Sequence, residues 1–179
     1  MHVEVKHGDV LAEAANVLVC SANVFLNLSG GVGGEILRRH GDAMQAALHR
    51  HLSERGLRFV QQGDVVQTDG FGTGFTQVLH AVAVDGWYRS SADVIAAVLS
   101  RAFQHAAALG ARKVAVVAVG TGYGRLSIEE FGHGFRRAVG REYPPVESAS
   151  VVLPTESQAI KLRAIFSEAS HRDDPGSGN

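Results

Sequence analysis

Two short segments carry the chain's clearest chemical signal, because their residue types suit them to hold an anion without a charged side chain. Residues 29–34 read SGGVGG and residues 120–124 read GTGYG, each following an apolar run and preceding a helical pattern. Glycines at such a turn let consecutive backbone N–H groups point at one ligand, and the start of the following helix adds its partial positive charge. The spacing of SGGVGG is neither that of a Walker loop nor of G-x-G-x-x-G. One such cluster alone is as easily a plain loop, but two that face each other suit a diphosphate better than a single phosphate. Tyr123, inside the second cluster, would cover a ribose or a ring, or else stand as an exposed loop tyrosine. A third cluster, DGFGTG at residues 69–74, marks either a turn that needs positive φ or a close approach to a ligand.

These loops need elements to hold them. Residues 2–6, 17–22, 64–68, 76–84 and 150–153 read as strands, and the apolar run VAVVAV at 114–119 suits a strand covered on both faces. Met44, Ala47, Leu48, His51 and Leu52 recur at helical spacing, as do Val94, Val98 and Ala102 in a long segment from about 91 to 109 that Gly110 closes. Ile128, Phe131, Phe135 and Ala138 form another stripe, opened by a capping box from Ser127 to Glu130 and weakened by Gly132 and Gly134. Ala159, Leu162 and Phe166 mark the buried side of a last helix. Strands alternating with helices predict an α/β fold of three layers, α/β/α, around a central mixed sheet. Ligands of such sheets sit in the crevice beyond the carboxyl ends of the strands, where both glycine clusters would converge.

Composition narrows the function classes. With 179 residues, 45% hydrophobic and 20% charged, the chain reads as one domain over residues 1–168, with 169–179 expected to be a disordered tail. The 17 basic and 18 acidic side chains leave a formal net charge of −1, so no general nucleic-acid or membrane surface is advertised and any anion is bound locally. No run approaches the ~18 apolar residues of a membrane span, and no signal peptide is evident, which predicts a cytoplasmic protein. The single cysteine, Cys20, has no C-x-x-C partner and reads as a small buried strand residue. The nine histidines are dispersed, so no metal site and no cofactor is expected.

In their shared order, several segments resemble the macro domain family. GDV (Gly8, Asp9, Val10) looks like its Gly-Asp-Ile motif. VLVCSAN (residues 17–23) looks like the strand that ends in Asn-Ala-Ala-Asn, and SGGVGG with EILRRHG like the first phosphate loop and its helix. VLHAVAV (78–84) and VAVVAVGTGYG (114–124) resemble a family strand and the strand with the second phosphate loop, so the likeness covers nearly all of residues 1–168. It implies a module that binds ADP-ribose, free or on an ADP-ribosylated macromolecule. By position, Asp9 would accept from the adenine exocyclic amine and the Val10 amide would read the ring. Asn23 would address the distal ribose, and is the one candidate catalytic residue. Ser29, Gly30, Gly31, Val32 and Gly33 would form the first loop and Gly120, Thr121, Gly122, Tyr123 and Gly124 the second, with Pro154 packing on the base. Read without the family, Asp9 is a turn aspartate and Asn23 a structural residue at a strand end.

Departures from the family pattern cluster in the same place. Where many hydrolytic members carry an aspartate after the loop valine, this chain has Gly33, which offers neither charge nor proton transfer. Cys20 replaces the first asparagine, Leu37 a common pocket histidine and Pro154 an aromatic that stacks on adenine, and Tyr123-Gly124 falls one residue early. Glu35 lies two helical positions past Gly33, roughly 200° around the axis, and is expected to be solvated. His40 reads as a helix C-terminal residue. The alternative function is hydrolysis of an ADP-ribosyl bond, or deacetylation of O-acetyl-ADP-ribose, with the substrate's own phosphate assisting. A third class, a domain used only for protein contacts, leaves the paired glycine loops unexplained.

Overall fold

The apolar run of residues 114–119 enters the middle of the sheet and then leaves it early. In the computed structural model, which describes residues 1–170, strand β5 (Lys113–Val116) lies between β6 (Ser148–Leu153) and β2 (Val17–Ala22). Its expected extension to residue 119 does not form. Val117 N–H still donates to Val19 O, but Val119 N–H turns back onto Val117 O, and Gly120 at φ +82° completes the bend. The chain therefore curls into the second glycine loop three residues sooner than its apolar content suggests.

The full sheet has six strands in the order β1-β6-β5-β2-β4-β3, with β1 at His2–His7, β3 at Val65–Asp69 and β4 at Gln77–Val82. All neighbours are parallel except β3 and β4, which makes the sheet mixed. Helices α3 (Ala92–Ala108), α4 (Ile128–Val139) and α5 (Glu156–Ser170) pack against one another on one face. Helices α1 (Gly31–His40) and α2 (Ala43–Glu54) pair on the other, so the architecture is three-layer α/β/α. Of the tail expected at 169–179, residues 169 and 170 end α5, and 171–179 lie outside the described residues.

Local chemistry accounts for the helix ends. Ser91 accepts from Val94 N–H to start α3, and Ser127 with Glu130 forms the reciprocal capping box that starts α4. Gly132 and Gly134 do not interrupt α4, because they are its contact points. A Cβ on Gly134 would stand 2.6 Å from Ala92 O and 2.7 Å from Ile95 Cβ, and one on Gly132 would stand 2.5 Å from Ile165 Cδ1. Their helix propensity is sacrificed for close packing of α4 against α3 and α5.

Because five of the six strands run the same way, their carboxyl ends share one edge of the sheet. The DGFGTG cluster is the β3–β4 hairpin turn, with Gly72 and Gly74 at positive φ, and none of it lines the cleft at that edge. Turn geometry, and no ligand, accounts for those glycines.

Candidate functional site

A cleft of about 970 Å³ opens where the parallel strands end. His7 ends β1 and Gly8 follows it, Ala22 ends β2 and Asn23 follows it, Val84 follows β4, Val117, Ala118, Gly120 and Thr121 follow β5, and Val152 and Pro154 come from the end of β6. All fourteen site positions read from the sequence line this one cleft: Asp9, Val10, Asn23, Ser29, Gly30, Gly31, Val32, Gly33, Gly120, Thr121, Gly122, Tyr123, Gly124 and Pro154. The two glycine loops, nearly ninety residues apart in sequence, meet across it. A Cβ placed on Gly30 would lie 3.0 Å from the Tyr123 hydroxyl, so the tyrosine reaches from the second loop to the first.

The backbone of both loops is left with donors to spare. Helix α1 starts at Gly31 after Gly30 at φ +70°, with no side-chain cap, and Gly34 N–H makes the first helical bond, to Gly30 O. The amides of Gly30, Gly31, Val32 and Gly33 donate to no acceptor among the described residues, and neither do those of Gly122, Tyr123 and Gly124. Unpaired donors grouped at a helix start form an anion site by geometry and by helix polarity together. The row at Gly122 to Gly124 lies in a loop ahead of α4, and the two rows on one cleft can hold two phosphates.

At one end, Asp9 is held from two sides. Oδ1 accepts from Leu11 N–H at 3.0 Å and Oδ2 accepts from the Arg39 guanidinium, which keeps the carboxyl ionised and its pKa below the ordinary aspartate value. A carboxylate has roughly four lone-pair sites, so each oxygen retains acceptor capacity. The neighbouring Val10 amide donates to nothing among the described residues. The turn-aspartate reading and the ligand reading are therefore compatible in one residue. Arg39 escaped the sequence reading because nothing local links it to a residue thirty positions earlier.

At the other end, Asn23 is committed to its own loop. Its Oδ1 accepts from Phe25 N–H at 3.0 Å and Asn27 N–H at 3.3 Å, while Nδ2 donates to Asn27 O at 3.0 Å. A primary amide offers two acceptor sites and two donors, so one N–H is all that Asn23 retains. It can give a hydrogen bond to a sugar hydroxyl but cannot accept a proton. Two residues of α2 brace the same loop: Gln45 bonds Leu28 N–H and Leu26 O, and His49 bonds Asn27 at 2.9 Å. Glutamine and histidine four apart on a helix are the signal that was available in the sequence.

Glu35 is partly exposed to solvent, as expected, and is also ion-paired. It borders the cleft but is tied to Arg38 and Arg39, three and four residues on, and these guanidiniums hold its pKa down to about 2. A carboxylate pinned that low is not a general base near neutral pH. Gly33 has little room for a larger side chain, since a Cβ would meet Leu28 at 3.3 Å. Among the described residues no cluster of three or more His, Cys, Asp or Glu side chains could hold a metal, and no helix is long and apolar enough to cross a membrane.

Cys20 borders the floor of the cleft yet is buried, and burial pushes its thiol up to about 12. A thiol that protonated is a poor nucleophile. Native protein is expected to react with a thiol-specific disulfide reagent at pH 8 at least 100-fold more slowly than the urea-unfolded chain. Comparable rates would show that the floor opens to solvent.

Comparison with known proteins agrees with this geometry. Residues 19–133 match the family model described as Macro domain. A macro domain-containing protein of Streptomyces griseus is 29% identical over 153 residues, covering 84% of this chain and 86% of that one. An uncharacterised protein of Mycobacterium tuberculosis is 28% identical over 144 residues, which are 80% of this chain but only 38% of that protein. Among solved structures, an Oceanobacillus iheyensis macrodomain mutant with ADPR superposes with a TM-score of 0.84 at 21% identity, covering 94% of each chain. The Trypanosoma brucei macrodomain in complex with ADP-ribose superposes at 0.74 and 19% identity, over 92% of this chain and 69% of that one. With the family model spanning well over half of its length and the fold shared with these structures, the chain belongs to the macro domain family.

Proposed function

We propose that the cleft binds ADP-ribose or a close ADP-ribosyl derivative, with the diphosphate between the two rows of unpartnered backbone amides. Those amides, Gly30 to Gly33 on one side and Gly122 to Gly124 on the other, are the observation that carries the reading. They are pre-placed, so little is spent on ordering them when an anion arrives. The cleft volume falls in the ~300–1,000 Å³ range of small-molecule sites. Asp9, Val10 and Pro154 would then face the base and Asn23 the distal ribose. The ADP-ribose carried by the Oceanobacillus and Trypanosoma domains supports this choice of ligand.

Binding is favoured over hydrolysis by the protonation chemistry at the distal end. Asn23 has no free acceptor, Gly33 supplies no carboxylate and Glu35 is held as a paired anion. A water molecule there would have to find its base on the substrate.

Calorimetry with ADP-ribose, ADP and AMP tests the reading. ADP-ribose should saturate and bind more tightly than AMP, and Asp9→Ala should raise Kd for all three by about 10-fold, the loss of one charge-assisted hydrogen bond of ~1.5 kcal/mol. No saturable heat from ADP-ribose at millimolar concentration would refute it. Release of label from ADP-ribosylated protein, with binding intact, would transfer the assignment to a hydrolase.

A further inference from the structure

We infer that a second groove beside this cleft seats a single-stranded nucleic acid, so that the ADP-ribosyl group read in the cleft is one carried by such a strand. The inference rests on the ADP-ribose reading for the cleft itself. The groove, about 730 Å³, is walled by Trp87, Tyr88, Arg89 and Ser90 on one side and by residues 122–125 on the other. It shares Tyr88, Gly122, Tyr123 and Gly124 with the cleft. None of the residues assigned to the base end, Asp9, Val10 or Pro154, borders it. The groove therefore adjoins the cleft beside the second glycine loop and away from adenine, close enough for one ligand to occupy both.

Its lining is chemically distinctive. Trp87 is 78% exposed, yet the loop that presents it is braced. Asp85 Oδ1 accepts from the amides of Trp87 and Arg89 at 2.9 and 2.8 Å, Oδ2 accepts from Arg89 Nε at 3.0 Å, and Gln62 Nε2 donates to Arg89 O at 2.8 Å. The Arg89 guanidinium lies 5.0 Å from the centre of the indole, and Tyr88, at φ +60°, sets its ring 5.7 Å from that of Tyr123. An indole held out to water by a rigid loop offers a flat face for a partner. On the facing wall Arg125 is exposed, sits at φ +54° and has no acidic partner among the described residues. It adjoins the free amides of the second glycine loop.

Two cations, three aromatic rings and no carboxylate line the groove, and Asp85 neutralises only Arg89. That is complementary to a polyanion with flat, stackable units: a base on Trp87, and a backbone phosphate at Arg125. A peptide would call for an enclosed apolar pocket or a free sheet edge. The lining includes no residue of the edge strands β1 and β3.

Trp87 is the only tryptophan in the chain, so tryptophan fluorescence, excited selectively, reports on the groove alone. Titrating the full chain with decathymidylate at low salt should quench that fluorescence saturably, with affinity falling as salt rises. Anisotropy of the labelled oligonucleotide should show about 10-fold weaker binding for Trp87→Ala and for Arg125→Gln, while both variants bind ADP-ribose within about twofold of the parent. Absence of quenching, unchanged oligonucleotide binding in both variants, or equal binding of polyglutamate would overturn the assignment. So would a Trp87-dependent gain in affinity for an ADP-ribosylated peptide with none for the oligonucleotide, since that would make the partner a protein. Calorimetry with ADP-ribose separates the two readings: silence there with the oligonucleotide still bound overturns the cleft assignment alone, and the reverse overturns the groove alone.

Discussion

Replacing Gly124 with alanine is expected to weaken ADP-ribose binding by about 100-fold and to lower the melting temperature by several degrees. A Cβ at this position would lie 2.4 Å from Gly120 O and 2.8 Å from Val84 Cγ1, and the first of these is backbone that cannot swing aside. The loop would have to open by roughly half an ångström or more. Overpacking of this kind costs about 1–3 kcal/mol, or about 2–12 °C at this chain length. The larger effect falls on the ligand. Opening the loop withdraws the Gly122 to Gly124 amides from the diphosphate, and two charge-assisted hydrogen bonds are worth ~3 kcal/mol, a factor of about 100 in Kd. Calorimetry and thermal denaturation on the same sample check both parts. Parent-like affinity in a folded Gly124→Ala protein would mean that the second loop does not hold the phosphates.

The second large effect is on stability in mild acid. His80, in the interior of β4, is fully buried: Nε2 pairs with Thr68 Oγ1 at 3.0 Å, Nδ1 has no partner, and burial lowers its pKa from 6.5 to about 4. The folded state therefore keeps His80 neutral at pH values where the unfolded chain takes up a proton. Stability is complete above pH 6.5 and is lost as pH falls from 6.5 through about 4, by roughly 3 kcal/mol from this residue. With a urea slope near 2 kcal/mol per molar, the unfolding midpoint should move down by about 1.5 M between pH 7 and pH 4. Paired carboxylates such as Glu35 and Asp9, whose values are also lowered, lose their contributions only as pH falls below the ordinary carboxylate range, beneath most of the His80 window. His80→Gln should flatten the curve between pH 6.5 and 4.5. A histidine variant with the parent's slope would place the acid sensitivity elsewhere.

What could be read in the residues, and what could not, follows from the range of the forces involved. Periodicity and capping are local, so the strand at 17–22, the long helix closed by Gly110 and the Ser127–Glu130 box all lie where the pattern puts them. The convergence of both glycine loops was also accessible, because parallel strands joined by helices must end at one edge. Partners brought in by tertiary packing were not. Arg39 reaches Asp9 across thirty residues, and Asn23 turns inward because Gln45 and His49 set the loop it serves. Gly132 and Gly134 looked like weak points in α4, since a glycine's value as a contact surface depends on neighbours that no window of sequence contains. Likewise the early end of β5 depends on where Val19 stands, not on the hydrophobicity of Val117 to Val119.

Because α2 clamps the stretch before Gly30 through Gln45 and His49, the shape of that cradle is inherited from the packing of a helix that itself touches no ligand. Recognition is thus yoked to the integrity of a distant layer. Fraying of α2 on warming should erase nucleotide affinity before the sheet melts, and a bound nucleotide should in turn slow amide exchange in α2.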